Sequence, residues 1–336
     1  MTLGIAALVL ASLAAGCGDD GDDSSSTPGS GSTGAFPVEV EHAFGTTVVP
    51  AEPTRVVTIG YSEQDAVLAL GIVPVGVTEW YGDQPYAVWP WAQDELGSAT
   101  PEVLSAEDGF NYERIAALRP DLIVGTNAAI DETAYGLLSA IAPTIARPKG
   151  STEYFARWDD QALLIGRSLG REARTRSLVD GIGAQFAAAA AAHPEFAGKR
   201  IVFLQNAFYE GEAIAYQDGL STEFLTDLGF VIPPEIAPFE EEGAQAAIPL
   251  EQLSVLNAAD VLLWATEAPA DREALEKEPL YLGLEEVREG RLVFTDSVSA
   301  GAIYFTSLLS LPHVLEHVVP ALADTLAGKG PAVITT

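Results

Sequence analysis

Residues 112–124 read Tyr112-Glu113-Arg114-Ile115-Ala116-Ala117-Leu118-Arg119-Pro120-Asp121-Leu122-Ile123-Val124. Helix-forming residues run into a proline that ends the helix, and a continuous apolar run opening with Asp121 follows. The spacing predicts a helix over Tyr112–Leu118 and a strand over Asp121–Gly125, of the kind buried on both faces in parallel sheets. The pattern returns as Glu251-Gln252-Leu253-Ser254-Val255-Leu256 ahead of Asp260-Val261-Leu262-Leu263, with one additional residue before the Asp. This weak duplication suggests two similar lobes, each carrying one glutamate near a helix N-terminus.

Outward from the first copy, Arg55–Gly60, Val73–Thr78 and Pro143–Ala146 read as strands, with helices at Glu63–Leu70 and Asp131–Ile141. Ser62 is placed to cap the Glu63 helix and Gly71 to stop it. Val38–Phe44 and Thr46–Val49 read as a hairpin about Gly45. Around the second copy, Arg200–Gln205, Asp260–Ala265 and Arg291–Thr295 read as strands, and Ser221–Leu228, Leu250–Asn257, Leu280–Val287 and Phe305–Leu326 as helices. Between the halves, helices are expected over Glu153–Leu169 and Arg171–Ala192, interrupted at Gly170. The second would be about 33 Å long, the width of a small domain. The expected fold class is α/β, with two Rossmann-like lobes joined by a long α-helix.

The chain has 336 residues, with 17 Lys and Arg against 48 Asp and Glu, a formal charge of −31. That balance excludes nucleic acid as a partner and argues against electrostatic attachment to anionic lipid. Hydrophobic residues make up 48% of the chain, enough for a substantial core. The one cysteine, Cys17, leaves no internal disulfide and no Cys-rich zinc site. Leu3–Ala15 is an apolar and small-residue run of 13 residues, where a membrane-spanning helix needs about 20. It fits the apolar region of a signal peptide, and Ala14-Ala15-Gly16-Cys17 fits a lipoprotein processing site with Cys17 as the lipidated residue. Met1-Thr2 lacks the Lys or Arg that usually opens a signal, so the start is expected upstream. Gly18–Ala35, with Asp19, Asp20, Asp22 and Asp23 and many Gly and Ser, reads as a flexible tether with a reach on the order of 25 Å. The expected organisation is a signal peptide over 1–16, lipidated Cys17 and tether over 17–36, an N-terminal lobe over 37–170, an interlobe helix over 171–193 and a C-terminal lobe over 194–336. Such a chain is exported and lipid-anchored at the outer face of the cytoplasmic membrane.

Pro53-Thr-Arg-Val-Val57, the 112–124 stretch, Leu250-Glu-Gln-Leu253 with Ala259-Asp-Val-Leu-Leu263, Val287-Arg-Glu-Gly-Arg-Leu-Val293 and Ser307-Leu-Leu-Ser-Leu-Pro312 follow one another along residues 37–326. In that order, behind a lipoprotein signal, they resemble the class III substrate-binding lipoproteins of ABC importers, which serve ferric siderophores, haem and cobalamin. The resemblance implies a ligand cleft between the two lobes. It also implies that one glutamate on each lobe docks on the membrane permease; by motif these are Glu113 and Glu251. A glutamate in the first turn of a helix is also favoured by the macrodipole alone, by ~0.3–1 kcal/mol.

Ligands of open α/β sheets bind beyond the carboxyl ends of the strands. The stretch Trp80-Tyr81-Gly-Asp-Gln-Pro-Tyr-Ala-Val-Trp89-Pro-Trp91 follows a strand and holds three of the five tryptophans. Its aromatic faces suit a large chelate. Candidate ligand-binding residues are Trp80, Tyr81, Trp89 and Trp91, with Tyr61, Ser62, Thr126, Asn127 and Arg147 from the first lobe. Asn206, Phe208, Tyr209, Trp264, Ser297 and Tyr304 join them from the second. Arg147 is the one cation placed at a strand end, which favours a neutral or cationic chelate such as a ferric hydroxamate over a trianionic catecholate, unless helical arginines such as Arg157 reach the cleft.

No resident cofactor is expected, and the chain is expected to be a monomer. Cobalamin or haem is the alternative ligand. The enzyme readings are weaker. His313-Val-Leu-Glu316-His317 matches the H-x-x-E-H pattern of inverted zinc peptidases, a remote alternative, but only 19 residues follow to supply a third ligand. Gly60-Tyr61-Ser62-Glu63-Gln64 has the setting of a nucleophile elbow without its second glycine. No phosphate-binding loop is present in the sequence, so ATP hydrolysis is not expected of this chain.

Overall fold

The computed structural model describes residues 36–106, 109–240 and 244–336. The expected signal peptide, Cys17 and the tether up to residue 35 lie outside the described residues. β1 (Val38–His42) and β2 (Gly45–Val49) form an antiparallel hairpin. β3 (Val56–Thr58), β4 (Gly76–Glu79), β5 (Glu102–Ser105), β6 (Leu122–Gly125) and β7 (Thr144–Ala146) make a parallel sheet in the order β5-β4-β3-β6-β7. The second lobe is built on β8 (Ile201–Tyr209), β9 (Glu212–Tyr216), β10 (Ala246–Pro249), β11 (Val261–Ala265), β12 (Leu292–Phe294) and β13 (Ala332–Val333). Their order is β10-β9-β8-β11-β12-β13. The last four of that order are parallel, and β9 runs antiparallel to both β8 and β10.

The duplicated aspartates explain why the two lobes share a pattern. Asp121 accepts from the backbone N–H of Thr54 and of Arg55, each at 2.8 Å, just before β3. Its own N–H donates to the Arg55 carbonyl at 3.0 Å. Asp260 accepts from the N–H of Arg200 at 2.8 Å, just before β8, and its N–H donates to the Arg200 carbonyl at 2.7 Å. Each aspartate therefore fixes the register of a central strand pair, β3 with β6 and β8 with β11. β3, β6, β11 and the first four residues of β8 are largely apolar and buried on both faces, as parallel pairs require.

The helix Glu172–Ala192 joins the lobes and buries only Thr175, Ile182 and Phe186. Its partner, expected from Glu153, begins at Trp158 and ends at Ser168. Arg157 is extended, and Tyr154 and Phe155 instead pack their rings on Tyr61 and Tyr216. The Leu250–Ala258 segment winds as a 3₁₀ helix. Its 2.0 Å rise per residue, against about 1.5 Å for an α-helix, gives the second copy a different path to its Asp. Phe305 lies between helices. Ser297–Tyr304 is a helix in place of a loop, and Ser310–His313, a π turn at Val314–Val318 and Val319–Leu326 follow. Pro320 has no N–H for the carbonyl one turn earlier, which accounts for the widened turn beside it. Leu280–Val287 divides into Pro279–Leu282 and Glu285–Glu289 because Leu284 is extended. Four strands lacked a periodic signal: β5, β9, β10 and β13.

At the junction of the last two N-terminal helices, a Cβ on Gly166 would fall 1.9 Å from Thr175 Oγ1, whereas one on Gly181 meets nothing within 4 Å. Gly166→Ala is expected to destabilise by about 1–3 kcal/mol. Gly181→Ala is expected to stabilise by up to about 1 kcal/mol. Urea unfolding of the two variants checks both signs.

Candidate functional site

The strand order reverses at β3, whose neighbours β4 and β6 lie on opposite sides, and the crevice beyond the carboxyl ends of β3 and β6 is where such sheets bind ligands. The loops there are tied together by Glu63. Its Oε1 accepts from the Asn127 N–H at 2.7 Å and its Oε2 from the Ser62 N–H at 3.2 Å. The Tyr61 N–H donates to the Asn127 carbonyl at 3.2 Å. Gly60 is required, since a Cβ would lie 2.2 Å from Glu63 Oε1 and 2.4 Å from the Asn127 carbonyl. Glu63 is 1% exposed. Burial pushes its carboxyl up to about 7, against the opposing pull of the backbone N–H groups.

Ser62, Thr126 and Asn127 are all buried at this edge. Ser62 stands at the N-cap position without capping the helix; its hydroxyl accepts from Asn127 Nδ2 at 3.4 Å. Thr126 Oγ1 donates to Gln161 Oε1 at 3.0 Å. Asn127 Oδ1 is buried with no hydrogen-bond partner.

Above this edge stands an aromatic cluster drawn from both lobes. The Tyr61 ring lies 5.5 Å from Trp80, 5.4 Å from Phe305 and 6.0 Å from Tyr154, parallel to the last. Trp80 meets Phe305 edge to face at 4.8 Å, and its buried Nε1 has no partner. Tyr81 packs on Trp80 and donates its hydroxyl to the Ser297 carbonyl at 3.2 Å. Burial pushes the Tyr61, Tyr81 and Tyr304 phenols up, so all three are neutral at physiological pH. A cavity of about 220 Å³ opens beside Tyr61 and Tyr154, with Thr78, Phe110 and Ala128 in its wall and no Lys or Arg in its lining.

The other candidates separate into seam and core. Trp89 is 2% exposed, stacks on Trp91 at 5.0 Å, and lies where a Cβ on Gly301 would come within 2.7 Å of its ring. Trp91 Nε1 donates to Asp65 Oδ2 at 2.8 Å. Both indoles thus serve the join between lobes. Trp264 is not in a loop: it lies inside β11, fully buried between Phe208 and Tyr281. Tyr304 is buried and donates to the Ala265 carbonyl at 2.8 Å. Ser297 begins a helix, Ser297–Tyr304, where a loop ahead of the Phe305–Leu326 helix was expected. Asn206 lies at the irregular end of β8 with positive φ, and Tyr209, 67% exposed, lies at the end of β8 beside the turn into β9. Arg147 turns to its own lobe, donating to the carbonyls of Ile130 and Ser151, each at 3.3 Å, with its guanidinium over the Phe44 ring. Tyr154 and Phe305 were missed because each was read inside a helix.

Glu113 and Glu251 are both exposed. Glu113 follows β5 and Glu251 follows β10, which runs parallel to β8, so both lie at the carboxyl edges of their sheets. His313 and His317 do meet, at 4.3 Å between rings, and burial pushes His313 down to about 4. Among the described residues no three His, Cys, Asp or Glu side chains gather to hold a metal ion. No described helix is long and apolar enough to cross a membrane.

Residues 56–298 match the periplasmic binding protein family, and the chain belongs to it. The chain is 28% identical over 280 residues to the probable siderophore-binding lipoprotein YfiY of Bacillus subtilis, covering 79% of this chain and 82% of that one. A periplasmic solute binding protein from Mycobacterium smegmatis superposes with a TM-score of 0.80 at 42% identity, covering 86% of this chain and 98% of that one. PiaA of Streptococcus pneumoniae, solved in complex with ferrichrome, gives 0.75 at 27% identity, covering 87% and 99%. These relatives are binding proteins, which indicates a non-enzymatic role in transport.

Glu63 gives the site a pH signature. Its folded value is raised above that of an ordinary glutamate, so its contribution to stability is complete below the unfolded pKa near ~4.3 and is lost as pH rises through about 7. Glu63→Gln removes that loss. The melting temperature of the variant relative to wild type should therefore be more favourable at pH 8 than at pH 4.5, as read by thermal unfolding.

Proposed function

We propose that this protein is the extracytoplasmic substrate-binding lipoprotein of an ABC importer, anchored through Cys17, and that it captures a ferric siderophore and delivers it to the permease. The reading is carried by the aromatic cluster that both lobes contribute over the β3–β6 crevice, where Asn127 Oδ1 and Trp80 Nε1 are left without partners. Aromatic faces give a bulky chelate a large contact area at low entropic cost, and one acceptor and one donor fix its orientation. No Arg stacks on a ring of this cluster among the described residues. That supports a neutral or cationic chelate of hydroxamate type. The siderophore-binding relative and the ferrichrome-bound structure point to the same class of cargo. The protein acts as a monomer, presenting Glu113 from one lobe and Glu251 from the other to basic groups of the permease.

Tryptophan-fluorescence titration against ferric hydroxamates, ferric catecholates, haem and cobalamin tests the ligand. Saturable quenching at sub-micromolar concentration is expected only with a ferric hydroxamate, and selective binding of cobalamin or haem would replace the reading. Tyr61→Ala should weaken that binding on the order of tenfold, as loss of one stacked ring does. The docking role has a separate check. Glu113→Arg combined with Glu251→Arg should abolish uptake by cells while leaving affinity unchanged, and normal uptake would refute it.

A further inference from the structure

We propose that Asp65 is the latch that fixes the two lobes in their ligand-holding orientation, through a hydrogen bond to Ser307 of the opposite lobe. Asp65 lies in the Glu63–Ala69 helix of the N-terminal lobe and is 2% exposed. Its Oδ2 accepts two hydrogen bonds, from Trp91 Nε1 at 2.8 Å and from Ser307 Oγ at 2.5 Å. Ser307 donates its proton to Asp65. Its oxygen already accepts from the N–H groups of Leu309 at 3.2 Å and Ser310 at 3.0 Å, so both lone pairs are used. Without the carboxylate, a buried hydroxyl proton and the indole N–H of half-buried Trp91 lose their acceptor together.

The latch acts on both walls of the cleft at once. Ser307 is two residues beyond Phe305, the ring the C-terminal lobe sets against Tyr61 and Trp80. Trp91 stacks on Trp89, which reaches both Trp80 and Tyr81 and fills the space left by Gly301. A movement of the C-terminal lobe that breaks the Asp65–Ser307 bond would therefore carry Phe305 away from Tyr61. Asp65 is a positioning residue and makes no contact with the cleft itself. That it governs affinity rests on the ligand site proposed above; that it governs lobe orientation does not.

Spin labels at Leu137→Cys and Leu280→Cys, both about half exposed and one on each lobe, report the interlobe distance in the full chain carrying Cys17→Ser, without ligand. One narrow distance distribution is expected with Asp65 intact. Asp65→Ala and Ser307→Ala should each broaden it and shift it outward, and the double variant should go no further than Asp65→Ala alone, because that substitution already removes the Ser307 bond along with the one from Trp91. A wild-type distribution in a folded Asp65→Ala or Ser307→Ala protein overturns the proposal, as does an additive effect in the double variant. Should Asp65→Ala fail to fold, Ser307→Ala decides alone. Ferric-hydroxamate affinity of the single variants should fall on the order of tenfold. A displaced distribution in a protein that binds no chelate would uphold the latch and remove the ligand reading.

Discussion

A carboxylate buried one turn beyond β3 sets the shape of the cleft. Glu63 draws the backbone of Ser62 and of Asn127 onto its two oxygens and so binds the loop after β3 to the loop after β6. Burying a charge is costly, and these N–H groups are what make it tolerable. Two residues on, Asp65 is rotated about 200° around the same helix, so it faces the opposite lobe. Seven residues, Glu63–Ala69, thereby hold the floor of the crevice with one side and the C-terminal lobe with the other. Gly60 completes the arrangement, because any side chain there would displace the Glu63 carboxylate.

The amino edges of the sheets are held by a different pair. Asp121 and Asp260 pin the entries of β3 and β8, which leaves the carboxyl edges to vary. In the first lobe that edge becomes the aromatic crevice. In the second, β8 runs on past its partner into a hairpin with β9, and β10 adds alongside. The docking glutamates proposed above follow the edge strands β5 and β10, and Glu113 lies three residues past Phe110, which stands in the wall of the cavity beside Tyr61. Ligand and permease would then use the same edge of each lobe.

What was legible in the sequence followed from burial. Strands such as Val261–Ala265 are apolar on both faces and read plainly, and so did the long interlobe helix. The edge strand β5 did not, because it buries only Leu104 and leaves no periodic signal, whereas β7 at the other edge is buried throughout and was read. The aromatic site was half legible. Trp80 and Tyr81 stood out in a proline-rich loop, but Tyr154 and Phe305 lay in stretches with good helix propensity that tertiary packing overrode. Arg147 showed the limit of placement by position: it is at a strand end, yet the carbonyls of Ile130 and Ser151 draw its guanidinium to its own lobe. Trp89 and Trp91 looked like ligand contacts for the same reason that suits them to a lobe seam, since both need large, flat apolar surfaces. The duplicated Asp was visible as a pattern, and its role in register needed coordinates.

Under the proposed reading, charge bears on which chelates the cleft favours. The chain carries a formal charge of −31, and its neutral tyrosines and unoccupied Asn and Trp groups offer no local positive field to offset it. Exposed charges are screened over about 8 Å at physiological ionic strength, but a ligand entering a crevice between two acidic lobes leaves that screening behind. A trianionic complex would meet repulsion on approach, and among the described residues no guanidinium stacks on the cluster, since Arg147 and Arg272 lie over Phe44 and Phe294 and Arg157 is held by Asp159 and Glu223. A neutral or cationic chelate meets no such barrier, and a cation would gain from the faces of Tyr61 and Trp80. Under the proposed reading, selectivity thus comes as much from excluding anions as from attracting the chelate that binds.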